Sequence, residues 1–89
     1  MKIKLELFGA SRDFSKKEYL EFNIKKKIEI KDLRIEIINY LDKNFKENDN
    51  FKMIVETSAF CSEDNNIIND DYIISKDQRI GIIPPIGGG

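Results

Sequence analysis

The sequence has no histidine, no tryptophan, a single cysteine (Cys61) and only two prolines. Without histidine it lacks the commonest metal ligand and the commonest general base at neutral pH. A lone cysteine excludes an internal disulfide, so covalent cross-links cannot hold the fold. No window approaches the length of consecutive apolar residues that a membrane-spanning helix needs. An excess of one charge is missing too. Fifteen basic residues face sixteen acidic ones, for a net charge of −1, so no broad positive field covers the surface to neutralise phosphates. Nucleic-acid binding and zinc chemistry are therefore poor readings. The opening "MKIKLELFG" alternates charge and hydrophobe where a secretion signal would show an unbroken apolar run, and the expected location is cytoplasmic.

The 89 residues are 40% hydrophobic and 35% charged, and sixteen of them are isoleucine. That much apolar surface offsets the entropy of ordering and predicts a globular chain, not a disordered one. A chain of this size buries roughly two-thirds of the surface its unfolded form exposes. One domain without a deep catalytic cleft is expected.

"KIKLELF" puts Ile3, Leu5 and Leu7 on one face and Lys2, Lys4 and Glu6 on the other, the period-2 pattern of a half-buried strand. "GASRDFSKK" interrupts it, and "YLEFNI" resumes the alternation, so a hairpin with a long loop is predicted. The basic run Lys25 to Lys27 reads as a solvated turn, with attraction of an acidic partner as the competing reading. Ile30, Leu33, Ile37, Ile38, Leu41 and Phe45 then form one stripe of a helix expected to run to about Asn44. The β-branched and aromatic residues of "FKMIVETSAFCSE" predict one strand or two short ones. "IINDDYIIS" reads as a short strand or extended loop broken by a turn, and "RIGII" as the last strand, stopped by Pro84 and Pro85. This order predicts an α+β fold of the β-grasp (ubiquitin-like) type: a mixed sheet of four to five strands with one main helix across it. Residues 1–83 would form the domain and residues 84–89 an extended Pro-Pro/Gly-Gly tail.

Both prolines and three of the five glycines fall in "PPIGGG". Such a tail is either an inert end or a device for presenting a carboxylate. Prolines keep the chain extended and unpaired, and six residues at about 3.3 Å each reach roughly 20 Å. Glycines lack Cβ, so the last residues fit a slot too narrow for side chains. A carboxylate is a poor electrophile until its oxygen is joined to AMP as a mixed anhydride. The chain offers neither a histidine nor a glycine-rich phosphate loop for that step, so it reads as the substrate of an adenylating enzyme.

With "IPPIGGG" at its end, "LFGASRD" after its first strand and "IKDL" opening its helix, the chain resembles the small, sulfur-carrying subunit of molybdopterin synthase, the MoaD family. The resemblance implies that a ubiquitin-activating-type enzyme adenylates Gly89 and consumes ATP. A sulfur donor protein then replaces AMP, and the thiocarboxylate enters the large synthase subunit to deliver sulfur to cyclic pyranopterin monophosphate. It further implies a heterotetramer with that large subunit, no bound cofactor, and no catalysis by the isolated chain. Pro84, Pro85, Ile86, Gly87 and Gly88 would bind the partner enzymes, and Phe8, Ile67 and Ile83 match the family's apolar contact patch. Phe8 is out of phase with Ile3, Leu5 and Leu7, and Ile83 is out of phase with Ile80 and Ile82, which sends both to the other sheet face.

Two departures concern fine structure: Asp77, Gln78 and Arg79 replace the family's Gly-Asp-Glu turn, and Asp64 stands where Asn is frequent. The segment "NDNFKMIVET" is also long for the family and is read as an extended strand or an added loop. Cys61, placed in the expected central strand, reads as a buried structural residue rather than a reactive thiol. Three other functions stay open: sulfur carriage toward thiazole, thiolated tRNA or cysteine; protein modification through an isopeptide bond to lysine; and plain binding with an inert tail.

Overall fold

The computed structural model describes residues 1–46 and 48–86. β1 (Lys2–Leu7) and β2 (Tyr19–Asn23) form the predicted antiparallel hairpin, with Ile3 opposite Phe22 and Leu5 opposite Leu20. Its loop holds more structure than its small polar residues implied. Gly9–Phe14 winds into a 3-10 helix that drops Phe14 into the core at 0% exposure, while Ser11 Oγ donates to the Phe8 carbonyl at 2.6 Å.

After the short strand β3 (Ile28–Glu29), α1 runs Ile30–Phe45, one residue beyond the predicted end. A reciprocal cap starts it: Glu29 accepts from the backbone of Asp32, and the Asp32 carboxylate accepts from Glu29 N–H at 3.0 Å. The predicted stripe is the buried face. Ile30, Leu33, Ile37 and Leu41 are at most 2% exposed, Ile38 is half-buried, and Phe45 lies at the rim. Lys46, with φ of 52°, ends the helix in the left-handed conformation.

The next segment corrects the sequence reading. "FKMIVETSAFCSE" is not one strand or two: Asp49–Thr57 is a second helix, α2, and only Ala59–Cys61 is strand, β4. The same finding replaces the extended strand or added loop expected of "NDNFKMIVET". Asn48 accepts from Phe51 N–H at 3.1 Å and caps the helix. Phe51, Ile54 and Val55, at helical spacing, then turn inward. Burying that face outweighs the strand preference of its β-branched residues, because each inward side chain is worth about 1.5–3 kcal/mol and the propensity differences are smaller.

β5 (Ile67–Ile68) and β6 (Ile73–Ile74) divide "IINDDYIIS", and β7 (Gln78–Ile83) closes the sheet. The five-stranded sheet has the order β2-β1-β7-β4-β5, with β1 and β7 parallel and the other pairs antiparallel; β3 and β6 form a separate two-stranded pair. β7, not the strand of Cys61, is therefore central. Ile3, Leu5, Leu7, Phe60, Ile80 and Ile82 line the inner face against α1, all at 0–1% exposure. Arg34 ties the layers together. Its Nη1 donates to the carbonyls of Val55 (2.6 Å) and Ser58 (2.8 Å), its Nε donates to Asp70, and its guanidinium lies 4.7 Å over the Phe60 ring. Among the described residues no helix is long and apolar enough to cross a membrane.

Candidate functional site

The strand register decides which side chains share the outer face, opposite α1. Cys61 faces Gly81 and Ile67, Ala59 faces Ile83, and Gly81 lies beside Glu6. Since Ile80, Ile82 and Phe60 are inner residues, Ala59, Cys61, Ile67, Gly81 and Ile83 all point outward. Phe8, two residues past Glu6, keeps the outward phase. Its ring lies above Gly81, where a Cβ would come within 2.9 Å of Phe8 Cε2 and 2.6 Å of Cys61 Sγ. The three predicted patch residues thus come together on one apolar surface. Ile67 is exposed, and Phe8 and Ile83 are half-buried.

Sequence reasoning missed the floor of that surface. Gly81 leaves space for the aromatic ring, and Cys61, 7% exposed, packs beside it as an apolar group. The glycine inside "RIGII" was the available signal, because an internal strand glycine commonly marks a close approach. Arg79 borders the surface on its charged side. Its Nη1 reaches Glu6 at 3.4 Å, its Nη2 donates to the Glu63 carbonyl at 3.0 Å, and its backbone N–H donates to Glu63 Oε1 at 2.9 Å.

The departures in this region have local explanations. Asp77 accepts from Lys2 N–H at 2.7 Å, and the turn before β7 uses no residue with positive φ, so it needs no glycine. Asp64 lies in the turn after β4, where Asn65 takes the left-handed conformation at φ of 63°.

The root of the tail sits at the end of the same strand. Pro84 is buried; its Cδ lies 3.9 Å from where a Gly9 Cβ would be, and Gly9 has φ of 54°, which glycine adopts without strain. Pro85 is exposed and Ile86 is 98% exposed, so the chain leaves the body at Pro85. On the helix side of this exit lies a groove of about 680 Å³ bounded by Ala10, Phe51, Met53 and Ile54. Gly87, Gly88 and Gly89, the expected partner-slot and reactive residues, lie outside the described residues. Among the described residues no group of His, Cys, Asp and Glu side chains is placed to hold a metal ion.

No protein-family model matches the chain, and no curated protein matches it. Solved structures do. A Pyrococcus furiosus protein described as molybdopterin converting factor, subunit 1, superposes with a TM-score of 0.69 at 17% identity, over 96% of this chain and 98% of its own. SAMP1 from Haloferax volcanii superposes with a TM-score of 0.69 at 10% identity over the full length of both chains. At these identities the likeness shows the fold, which is ubiquitin-like β-grasp.

Proposed function

We propose that this protein is a ubiquitin-like sulfur carrier that works as the small subunit of a molybdopterin synthase. The observation that carries the reading is the continuity of the outer apolar face with the tail root. Phe8, Cys61 and Gly81 lead through Ile83 to the anchored Pro84 and the exposed Ile86, and "GGG" follows. A partner that covers the apolar face is thereby positioned to receive the tail. The first neighbour, described as a molybdopterin converting factor subunit, supports the choice of pathway.

In this reading the Gly89 carboxylate oxygen attacks the α-phosphorus of ATP within an activating enzyme, and pyrophosphate leaves. Sulfur at the sulfide level, supplied by a donor protein, then attacks the acyl carbon and expels AMP to give the thiocarboxylate. That group enters the large subunit, where its sulfur attacks a carbon of cyclic pyranopterin monophosphate; water then cleaves the acyl C–S bond, leaving the sulfur on the substrate and restoring the Gly89 carboxylate. The domain binds and positions; the partners supply the catalytic groups. Gly87 and Gly88 thread the narrow slots, and Pro84 fixes the direction of departure.

The experiment is intact-mass measurement after incubation with an activating enzyme, ATP and a sulfur donor. The expected result is a gain equal to one oxygen replaced by sulfur, localised to Gly89. Lysine-linked conjugates without that gain would assign the protein as a modifier instead, and no change at all would leave the tail inert.

A further inference from the structure

A second surface lies on the opposite side of the molecule from β5, and the proposed sulfur chemistry does not use it. β2 is an edge strand: β1 is its only strand partner, and its other side pairs with nothing among the described residues. The ladder phase shows which groups are left open. Leu7 N–H donates to the Glu18 carbonyl at 2.9 Å, and Ile24 N–H donates to the Met1 carbonyl at 2.8 Å. Glu18, Leu20, Phe22 and Ile24 therefore turn their backbone groups toward β1, and Tyr19, Glu21 and Asn23 turn theirs to the free edge.

Beside that edge, between β2 and the last turns of α1, runs an open groove of about 520 Å³. Leu20 and Phe14 form its base, and Tyr40, Asn44 and Phe45 its far wall. A strand added to β2 would send alternate side chains to the inner side, as Leu20 and Phe22 go, and these would enter the groove. Both ends of the edge are basic. Lys16 and Lys17 precede β2, and Lys25, Lys26 and Lys27 follow it; all five are exposed. Glu18 and Glu21 are the only acids between them, so this stretch is positive in a chain whose net charge is −1.

We infer that the free edge of β2 binds an extended peptide of a partner protein by strand addition, one with alternating apolar residues and acidic flanks. Charge decides the occupant. A second copy pairing edge to edge in antiparallel fashion would set Lys16 and Lys17 against Lys25 to Lys27 of its twin, whereas acidic flanks neutralise both clusters. The basic run Lys25 to Lys27, for which attraction of an acidic partner is the competing reading to a solvated turn, thus gains a role in recognition.

The probe is a short synthetic peptide with an alternating Val/Ile core flanked by glutamates, titrated into the isotope-labelled full chain and followed by amide NMR shifts. Shifts should concentrate on Tyr19, Glu21 and Asn23 and on the Phe45 end of α1. N-methylation of alternate core residues removes the ladder donors and should weaken binding by about tenfold or more, since each lost hydrogen bond is worth roughly 1 kcal/mol. Lys16→Glu with Lys17→Glu, both exposed and thus neutral to folding, should weaken it as well. Equal binding of the N-methylated peptide, equal binding of a glutamate-only peptide, or shifts confined to Phe8 and Ile67 would each overturn the inference. A thiocarboxylate on Gly89 is not needed for this titration, so its outcome is independent of the proposed sulfur chemistry.

Discussion

The ring of Phe8 occupies the space that a side chain at Gly81 would fill, so an aromatic residue from the end of β1 and a glycine in β7 together define the outer apolar surface. Because Cys61 Sγ crowds the same point, the three positions form one packing unit.

Gly81→Val should push the Phe8 ring and the Cys61 thiol aside. Overpacking of this kind costs about 1–3 kcal/mol. Thermal denaturation should register the loss, and Cys61 should react faster with a thiol reagent than in the parent protein. Unchanged stability together with an unchanged thiol rate would show that the ring does not lie where the structure puts it.

Ile67→Asp tests the proposed use of that surface. The side chain is 64% exposed, so stability should stay within about 0.5 kcal/mol of the parent. Binding to the large subunit or to an activating enzyme should fall at least about tenfold, as a charge is placed inside an apolar contact. Calorimetry of the complex, beside a melting curve of the free chain, makes the comparison.

Arg34→Ala and Asp70→Asn separate the two halves of the Arg34 cluster. The carbonyls of Val55 and Ser58 lose charged donors in the first, and roughly 2–3 kcal/mol should go with them. The Asp70 side chain is 57% exposed, so its 2.9 Å ion pair is screened and Asp70→Asn should cost under about 1 kcal/mol. Urea midpoints of both variants test that order, and Arg34→Lys should rescue little because an ammonium cannot reproduce the fork.

Under the proposed function, removing Gly89 should abolish thiocarboxylate formation and dithiolene synthesis while the melting temperature stays unchanged. Gly88→Val should slow adenylation by obstructing the narrow slot. Pyrophosphate release in the activation reaction reads the second effect directly, and normal kinetics there would refute the slot argument.

Much of the fold could be read from the chain because its clearest periods are long. The alternation through Ile3, Leu5 and Leu7 and the stripe from Ile30 to Leu41 each continue far enough to separate period 2 from period 3.6, and both faces are buried as expected. α2 was misread because Phe51, Ile54 and Val55 are strand-forming residue types, and the short segment gives their helical spacing little room to repeat. The cap at Asn48 was the better guide. β3 and β6, two residues each, are too short to carry any period. Of the outer surface, phase alone sent Phe8 and Ile83 to the correct face. Ile67 could not be placed that way, since its partner Cys61 is reached only across the turn that precedes β5.

The parallel pairing of β1 with β7 has a temporal consequence. Ile3 lies beside Gln78 and Leu7 beside Ile82, so the centre of the sheet joins two strands that are far apart in the sequence. Contacts of such sequence separation close only after the intervening chain is available, and they slow folding. Gly9 meets Pro84 through the same closure, so the exit direction of the tail is created with the final strand and not before. A half-folded chain would lack a correctly aimed Pro84–Ile86 segment, and under the proposed function an activating enzyme would act only on the folded domain.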